Sequence, residues 1–195
     1  AGQFAVAGAG ADIWGSGDQF RFVYTQLTGD GSLVAQVTAL DAINAWTKGG
    51  IMMRETLATS SRHVLMTASP AKGHAYQRRL AAGGLSVNTS GGTGTAPVWF
   101  KLTRSGDTFT SFKSADGATW TKVGADTVAM ADTIYVGLAV SSHVTGVLAT
   151  ASFSNVSVTV TPPSTVPPPS TTVTELKVLD WNTHHGGVGS DGVYN

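Results

Sequence analysis

Eight residues of this chain carry side chains suited to holding a sugar: Trp46, Arg54, His63, Tyr76, Gln77, Arg79, Trp99 and His143. Aromatic planes stack on the C–H faces of sugar rings. Arg, Gln and His supply the hydrogen bonds that fix orientation. Strand alternation limits the set. Arg78 and Arg79 fall on opposite faces, so at least one of them is structural. An arginine turned inward needs a counter-charge, and Glu55 is the partner considered. Trp46 and Trp99 are equally suited to filling a core.

A second group, Asn182, His184, His185 and Asp191, is the one dense run of metal-ligand types. A hard-metal phosphodiesterase site needs several converging carboxylates around one or two cations. One Asn and one Asp on a single strand and loop do not supply them. No metal is therefore assigned, and no hydrolysis of phosphodiesters or phosphomonoesters is expected. Asp12, Asp18, Asp30 and Asp41 raise the question of Ca2+, which takes roughly six to eight oxygens. There is no dense acidic loop to provide them, and Asp30 and Asp116 suit turns, so calcium stays an open alternative to having no cofactor. Covalent catalysis finds no G-x-S-x-G elbow. Glycoside hydrolysis finds no carboxylate pair, because Glu55 and Glu175 are the only glutamates and no E-x-D-x-E strand exists.

Composition agrees with an uncharged partner. Of 195 residues, 12 % are charged and the formal net charge is zero, which leaves no electrostatic footprint for nucleic acid or an anionic membrane. Cysteine is absent, which rules out disulfides and thiolate zinc sites. No run approaches the roughly 20 apolar residues of a membrane span. The first ten residues lack the charged start of a signal peptide. The run Thr161–Thr174, TPPSTVPPPSTTVT, is the Pro/Ser/Thr composition of linkers in secreted modular proteins. Secreted or periplasmic placement is the expectation.

The elements that must position these residues are strands. Short apolar runs rich in Val, Thr, Phe, Tyr and Trp alternate with turn residues, and no helical period of ten residues stands out. Strands are predicted at Gln3–Ala7, Phe20–Gln26, Ser32–Leu40, Gly50–Glu55, His63–Ala68, His74–Ala81, Val98–Arg104, Thr108–Ser114, Thr119–Val123, Ile134–Ser141 and Ala149–Thr161. Ile51 and Met53 are read as facing inward, Met52 and Arg54 outward. Val98, Phe100 and Leu102 oppose Trp99, Lys101 and Thr103. Bulky or small residues on both faces of several strands mark a face that is covered or used for binding. The turn Ser114–Trp120 resembles the Asp-box of sialidases, one residue shorter. It is read as structural: Asp116 caps, Gly117 turns, Trp120 packs beneath.

Several segments together resemble bacterial concanavalin-like (laminin-G-like) jelly-roll domains. They are Ala9–Gly15 (AGADIWG), Asp18–Phe20, Leu27–Gly31 (LTGDG), Ala45–Glu55 (AWTKGGIMMRE), Tyr76–Arg79 (YQRR) and Tyr135–His143 (YVGLAVSSH). The resemblance covers roughly residues 3 to 160. It implies two antiparallel sheets with one concave face, in secreted multidomain bacterial proteins, often beside hydrolases, used for sugar binding or adhesion. Such domains normally begin with one further strand, so the chain is expected to start at about the second. The segment Leu176–Gly186 (LKVLDWNTHHG), with Asp191–Tyr194, resembles the first strand and loop of the endonuclease/exonuclease/phosphatase fold. That resemblance implies a metal-placing role for Asn182 in an intact hydrolase.

The expected organisation is an all-β, two-sheet antiparallel jelly roll over 1–160, a linker over 161–174, and over 175–195 a short C-terminal strand, the truncated start of an enzyme domain. The expected function is a non-catalytic carbohydrate-binding or adhesive module with a glycan or polysaccharide partner, and neither nucleic acid nor membrane. Two alternatives stand beside it. One is a targeting domain for a metal-dependent nuclease or phosphatase. The other is a subunit that self-associates by donating its C-terminal strand to an open sheet edge.

Overall fold

A computed structural model describes residues 2–162. Asn182, the expected C-terminal strand and nearly all of the expected linker lie outside the described residues. The elements, in chain order, are β1 (Gly2–Gly10), β2 (Ile13–Trp14), β3 (Gly17–Asp18), β4 (Arg21–Thr28), β5 (Gly31–Leu40), β6 (Lys48–Arg54), β7 (His63–Ser69), β8 (Gly73–Arg79), β9 (Val87–Ser90), β10 (Val98–Ser105), β11 (Thr108–Ser114), β12 (Thr121–Thr127), β13 (Thr133–Ser141) and β14 (Val144–Val160).

The strands make an all-β jelly-roll sandwich. One six-stranded sheet runs β1-β14-β5-β10-β11-β12 and the other β4-β13-β6-β7-β8-β9, with β2 and β3 as a separate ribbon. The pairings between these strands are antiparallel throughout. The eleven predicted strands form, Thr108–Ser114 as predicted and the other ten with shifted ends, while β2, β3 and β9 are additional. Two to four residues are too few to show an alternation.

Alternation builds the core. Val98, Phe100 and Leu102 are buried on one side of β10, against half-buried Trp99, Lys101 and Thr103 on the other. Ile51, Met53, Val64, Met66, Val136 and Leu138 meet them from the opposite sheet, with Phe109 and Phe153 fully buried among them. Each such side chain contributes about 1.5–3 kcal/mol on leaving water. β14 is long because it pairs with β1 and β5 at once. Its register slips between Ser154 and Ser157, where Asn155 takes a left-handed φ of 53°.

The other face of the second sheet, to which alternation assigns Met52 and Arg54, is covered. Met52 and Arg54 lie at 0 % and 2 % exposure. Met52, Leu65, Ala139 and Ile13 form a second small apolar cluster, because the segment around β2 and β3 folds back across this face. The Ser114–Trp120 turn is structural as read. The Asp116 carboxylate accepts from the amides of Ala118 (2.8 Å) and Thr119 (2.7 Å). The ring beneath Gly117 is Trp99, however: a Cβ there would come within 2.8 Å of it. Trp120 instead stands 4.3 Å from the Lys101 ammonium.

Candidate functional site

The register of the second sheet sets residues in rows. Tyr135 pairs with Arg54, Arg54 with His63, and His63 with Arg79. Onto this row the β2–β3 ribbon lowers the Asp18 carboxylate. Arg79 grips it with both amino groups, at 2.6 and 2.9 Å, while Arg54 and His63 each stand 3.6 Å away. Arg79 also donates to the carbonyls of Gly15 (3.0 Å), Ser61 (3.1 Å) and Gly84 (3.1 Å). One side chain thus staples the ribbon and both loops flanking β7–β8 to the sheet. Arg54 completes the cover through Thr56 (2.7 Å) and the Ala58 carbonyl.

Arg54, His63 and Arg79 are therefore brought together, but as a buried framework, and Arg79's partner is Asp18 in place of the expected Glu55. Glu55 pairs with Arg62 at 3.0 Å. Burial drives the His63 pKa well below its ordinary value, and the charges of Arg79 and Arg54 push the same way. His63 is neutral, and the Arg79 guanidinium stands 3.4 Å from its Nδ1. Its nearness to Asp18 is not an ion pair.

Beside this framework the same face opens into a cavity of about 380 Å³, lined by Trp14, Trp46, Gln77, Asn88, His143 and the Asp12–Lys48 pair. Gln77 lies on β8, opposite Asn88 of β9. Gln77 is 4 % exposed, and its Oε1 has no hydrogen-bond partner. A buried, unpartnered carboxamide oxygen costs about 1–3 kcal/mol, which a ligand hydroxyl would recover. Trp14 and Trp46 keep 40 % and 45 % of their surface exposed, unlike core tryptophans.

Local chemistry fixes this geometry. Asn44 Oδ1 accepts from the Trp46 amide (2.9 Å). The Thr47 hydroxyl accepts from the Asn44 amide (2.9 Å) and donates to the Ser142 carbonyl (2.9 Å). The Trp46 loop is thereby tied to the turn that carries His143, whose φ of 62° is left-handed. Gly10 sets the path into the ribbon: at its φ of 145° a Cβ would strike the Gln19 carbonyl oxygen at 1.9 Å.

The charges of the cavity are matched internally. Lys48 Nζ lies 2.5 Å from Asp12 Oδ1 and donates to the Ile13 carbonyl at 3.1 Å. Burial lowers its pKa, and Asp12 opposes that shift. His143 Nδ1 stands 3.5 Å from the other Asp12 oxygen. The Lys72 ammonium sits 4.6 Å over the Trp46 ring.

Of the predicted ligand residues, the cavity collects Trp46, Gln77 and His143. Tyr76 does not join them. It points into the core, and a Cβ on Gly124 would come within 2.8 Å of its ring. Trp99 belongs to the outer face of the other sheet, under Gly117. Trp14, Lys48 and Asn88 are cavity residues that alternation did not find. Trp14 and Asn88 sit in strands of two and four residues; the Asp12-Ile13-Trp14-Gly15 run was the only signal for Trp14, and Asn88 had none. The four aspartates considered for calcium have other partners: Asp12 holds Lys48, Asp18 holds Arg79, Asp30 accepts from the Gly106 amide (2.6 Å) and Asp41 from the Thr150 amide (2.8 Å).

No protein-family model matches the chain, and no curated protein matches it. Solved structures do. A functionally unknown protein from Saccharomyces cerevisiae aligns with a TM-score of 0.67 at 17 % identity, over 82 % of this chain and 89 % of that one. The carbohydrate-binding module CBM66 from Bacillus subtilis aligns with a TM-score of 0.53 at 19 % identity, over 81 % of this chain and 95 % of the module. A mutant of the GH43 protein BlXynB from Bacillus licheniformis aligns with a TM-score of 0.52 at 12 % identity, over 68 % of this chain. That match takes up 31 % of the GH43 chain. These likenesses define the class at the level of fold, a two-sheet β-sandwich.

Proposed function

We propose that residues 2–162 form a non-catalytic carbohydrate-binding module whose ligand enters the cavity between Trp14 and Trp46. The observation that carries this is the pairing of two half-exposed indoles with a buried Gln77 oxygen that lacks a donor. Stacking on the indoles and a hydroxyl donated to Gln77 are the two contacts a saccharide provides and an aliphatic ligand does not. Because Lys48 and Asp12 neutralise each other, the reading favours a neutral sugar.

A binder fits the cavity better than an enzyme does. Both hydrolytic routes at a glycosidic bond use two carboxyl groups. Asp12 is the one carboxylate lining this cavity, and it is committed to Lys48. The similarity to a carbohydrate-binding module supports the reading through fold alone. The part-chain match to a GH43 protein is compatible with use of this sandwich as one module among others, and the Pro/Ser/Thr run is what supports a secreted or periplasmic setting.

A glycan array probed with the native chain and with Trp46→Ala, with and without calcium, tests the proposal. The native protein is expected to select a small set of neutral glycans and the variant to lose them. Equal signals for both proteins would refute the site. Retention of calcium-dependent signal alone would refute the metal-free reading.

A further inference from the structure

We propose that the mouth between the two sheets beside His74 is a second binding site, for a small ligand bearing an oxyanion such as a carboxylate or phosphate. It is separate from the indole cavity and does not depend on the glycan reading. The site is a cavity of about 370 Å³ at the end of the sandwich, where β8 faces β10 and β11. His74 reaches it from one sheet and packs edge-on against Phe100 of the other, with ring centroids 5.5 Å apart. The residue is 6 % exposed, and neither ring nitrogen makes a well-formed hydrogen bond, while the backbone of Thr95 lies close enough to favour its charged form.

Lys113 lines the same cavity from β11. Its ammonium carries three donors and donates to the Gly91 carbonyl, which leaves donors for a ligand. A neutral imidazole adds one N–H. Thr121, opposite Lys113 in the register, adds a hydroxyl. Asp116 also faces the cavity, with its Oδ1 held by the turn through the Ala118 and Thr119 amides and the Ser114 hydroxyl, so its charge opposes that of Lys113 there.

The backbone is shaped around this imidazole. Gly94 has a φ of 140°, and a Cβ there would meet the His74 ring at 2.6 Å. The glycine-rich loop is clamped to β8, with the His74 amide donating to the Gly92 carbonyl (2.9 Å) and the Gly91 amide to the His74 carbonyl (2.8 Å). Burial lowers the His74 pKa and the Lys113 charge lowers it further. An anion seated between them offsets that second effect. It accepts from both groups, the kind of charge-assisted contact that is strongest in a partly dry site.

The test is an NMR titration of the full chain that follows the imidazole nitrogens of His74. Acetate, inorganic phosphate and D-galacturonate are the probes, and D-galactose is the neutral control. The expected result is a saturable shift of the His74 signals with at least one anion and none with galactose, and a rise in the His74 titration midpoint when the anion is bound. Lys113→Gln is expected to weaken the response by about tenfold or more, and Lys113→Arg to keep most of it. Which anion is strongest separates an acidic sugar from a free small acid or phosphate. No response to any anion, an equal response to galactose, or an unchanged Lys113→Gln titration would overturn the proposal. The native titration stands by itself should Lys113→Gln not fold.

Discussion

Asp18→Asn tests the idea that the Arg54–His63–Arg79 row is a framework and not a ligand face. The substitution keeps the shape of the side chain and removes one charge. In the native protein Asp18 is 3 % exposed, Arg79 fully buried and Arg54 2 % exposed. Its loss leaves two buried guanidinium groups without a nearby carboxylate, since Asp18 is the acidic partner of both, of Arg79 at 2.6 and 2.9 Å and of Arg54 at 3.6 Å. Removing one member of a buried pair costs about 3–5 kcal/mol. For a domain of this size that is a fall in Tm of about 6–20 °C. Thermal or urea unfolding of Asp18→Asn beside the native chain reads it directly. The β2–β3 ribbon should also lose hydrogen-exchange protection before the core strands, because Arg79 is its main tether. A change below about 1 kcal/mol would refute the framework reading and return Arg79 and Arg54 to the ligand candidates.

Other outcomes follow from the same geometry. Trp14→Ala should abolish glycan binding while shifting unfolding free energy by less than about 1 kcal/mol, since the ring is half exposed; binding and melting curves on one sample check it. Phe153→Ala, at 1 % exposure in the core, should cost about 3–5 kcal/mol, measured by urea unfolding. Acid should destabilise the fold early. His63 and His74 both have folded-state pKa values below the ordinary 6.5, so the unfolded chain takes up their protons first as pH falls. Their contribution is fully present above about pH 6.5 and is lost below it, by up to about 1.4 kcal/mol per pH unit for each imidazole still neutral. Unfolding free energies measured between pH 7 and pH 5 should fall accordingly, and His63→Phe or His74→Phe should flatten the profile where it folds.

The sandwich was legible because its strands alternate cleanly. In β10 and β13 every second residue is apolar, and those residues are the core. The candidate site was legible only in part, for a physical reason. Alternation tells which side of a strand a residue faces, not what covers that side. Arg54, His63 and Arg79 do share the face opposite the core, but a ribbon of two-residue strands lies over them and turns them into buried scaffold. Asp18, the residue that decides this, is one acidic residue in a glycine-rich stretch with no local pattern. Trp46, Gln77 and His143 come from three separate elements, and their meeting depends on Thr47 tying two loops together. Tyr76 was misplaced because β8 carries polar or aromatic residues on both faces, His74, Tyr76 and Arg78 on one and Gln77 and Arg79 on the other. Trp99 failed by sheet, which a single strand's pattern does not reveal.

In the proposed site a saccharide hydroxyl completes the buried Gln77 oxygen in the cavity that Trp14 and Trp46 also line. Calorimetric titration of native protein and Gln77→Ala with the best neutral glycan from the array tests it most directly. The expected result is a loss of about 1–3 kcal/mol in binding free energy, roughly five- to 150-fold in affinity, with the fold intact by circular dichroism. Equal affinity of the two proteins would contradict it.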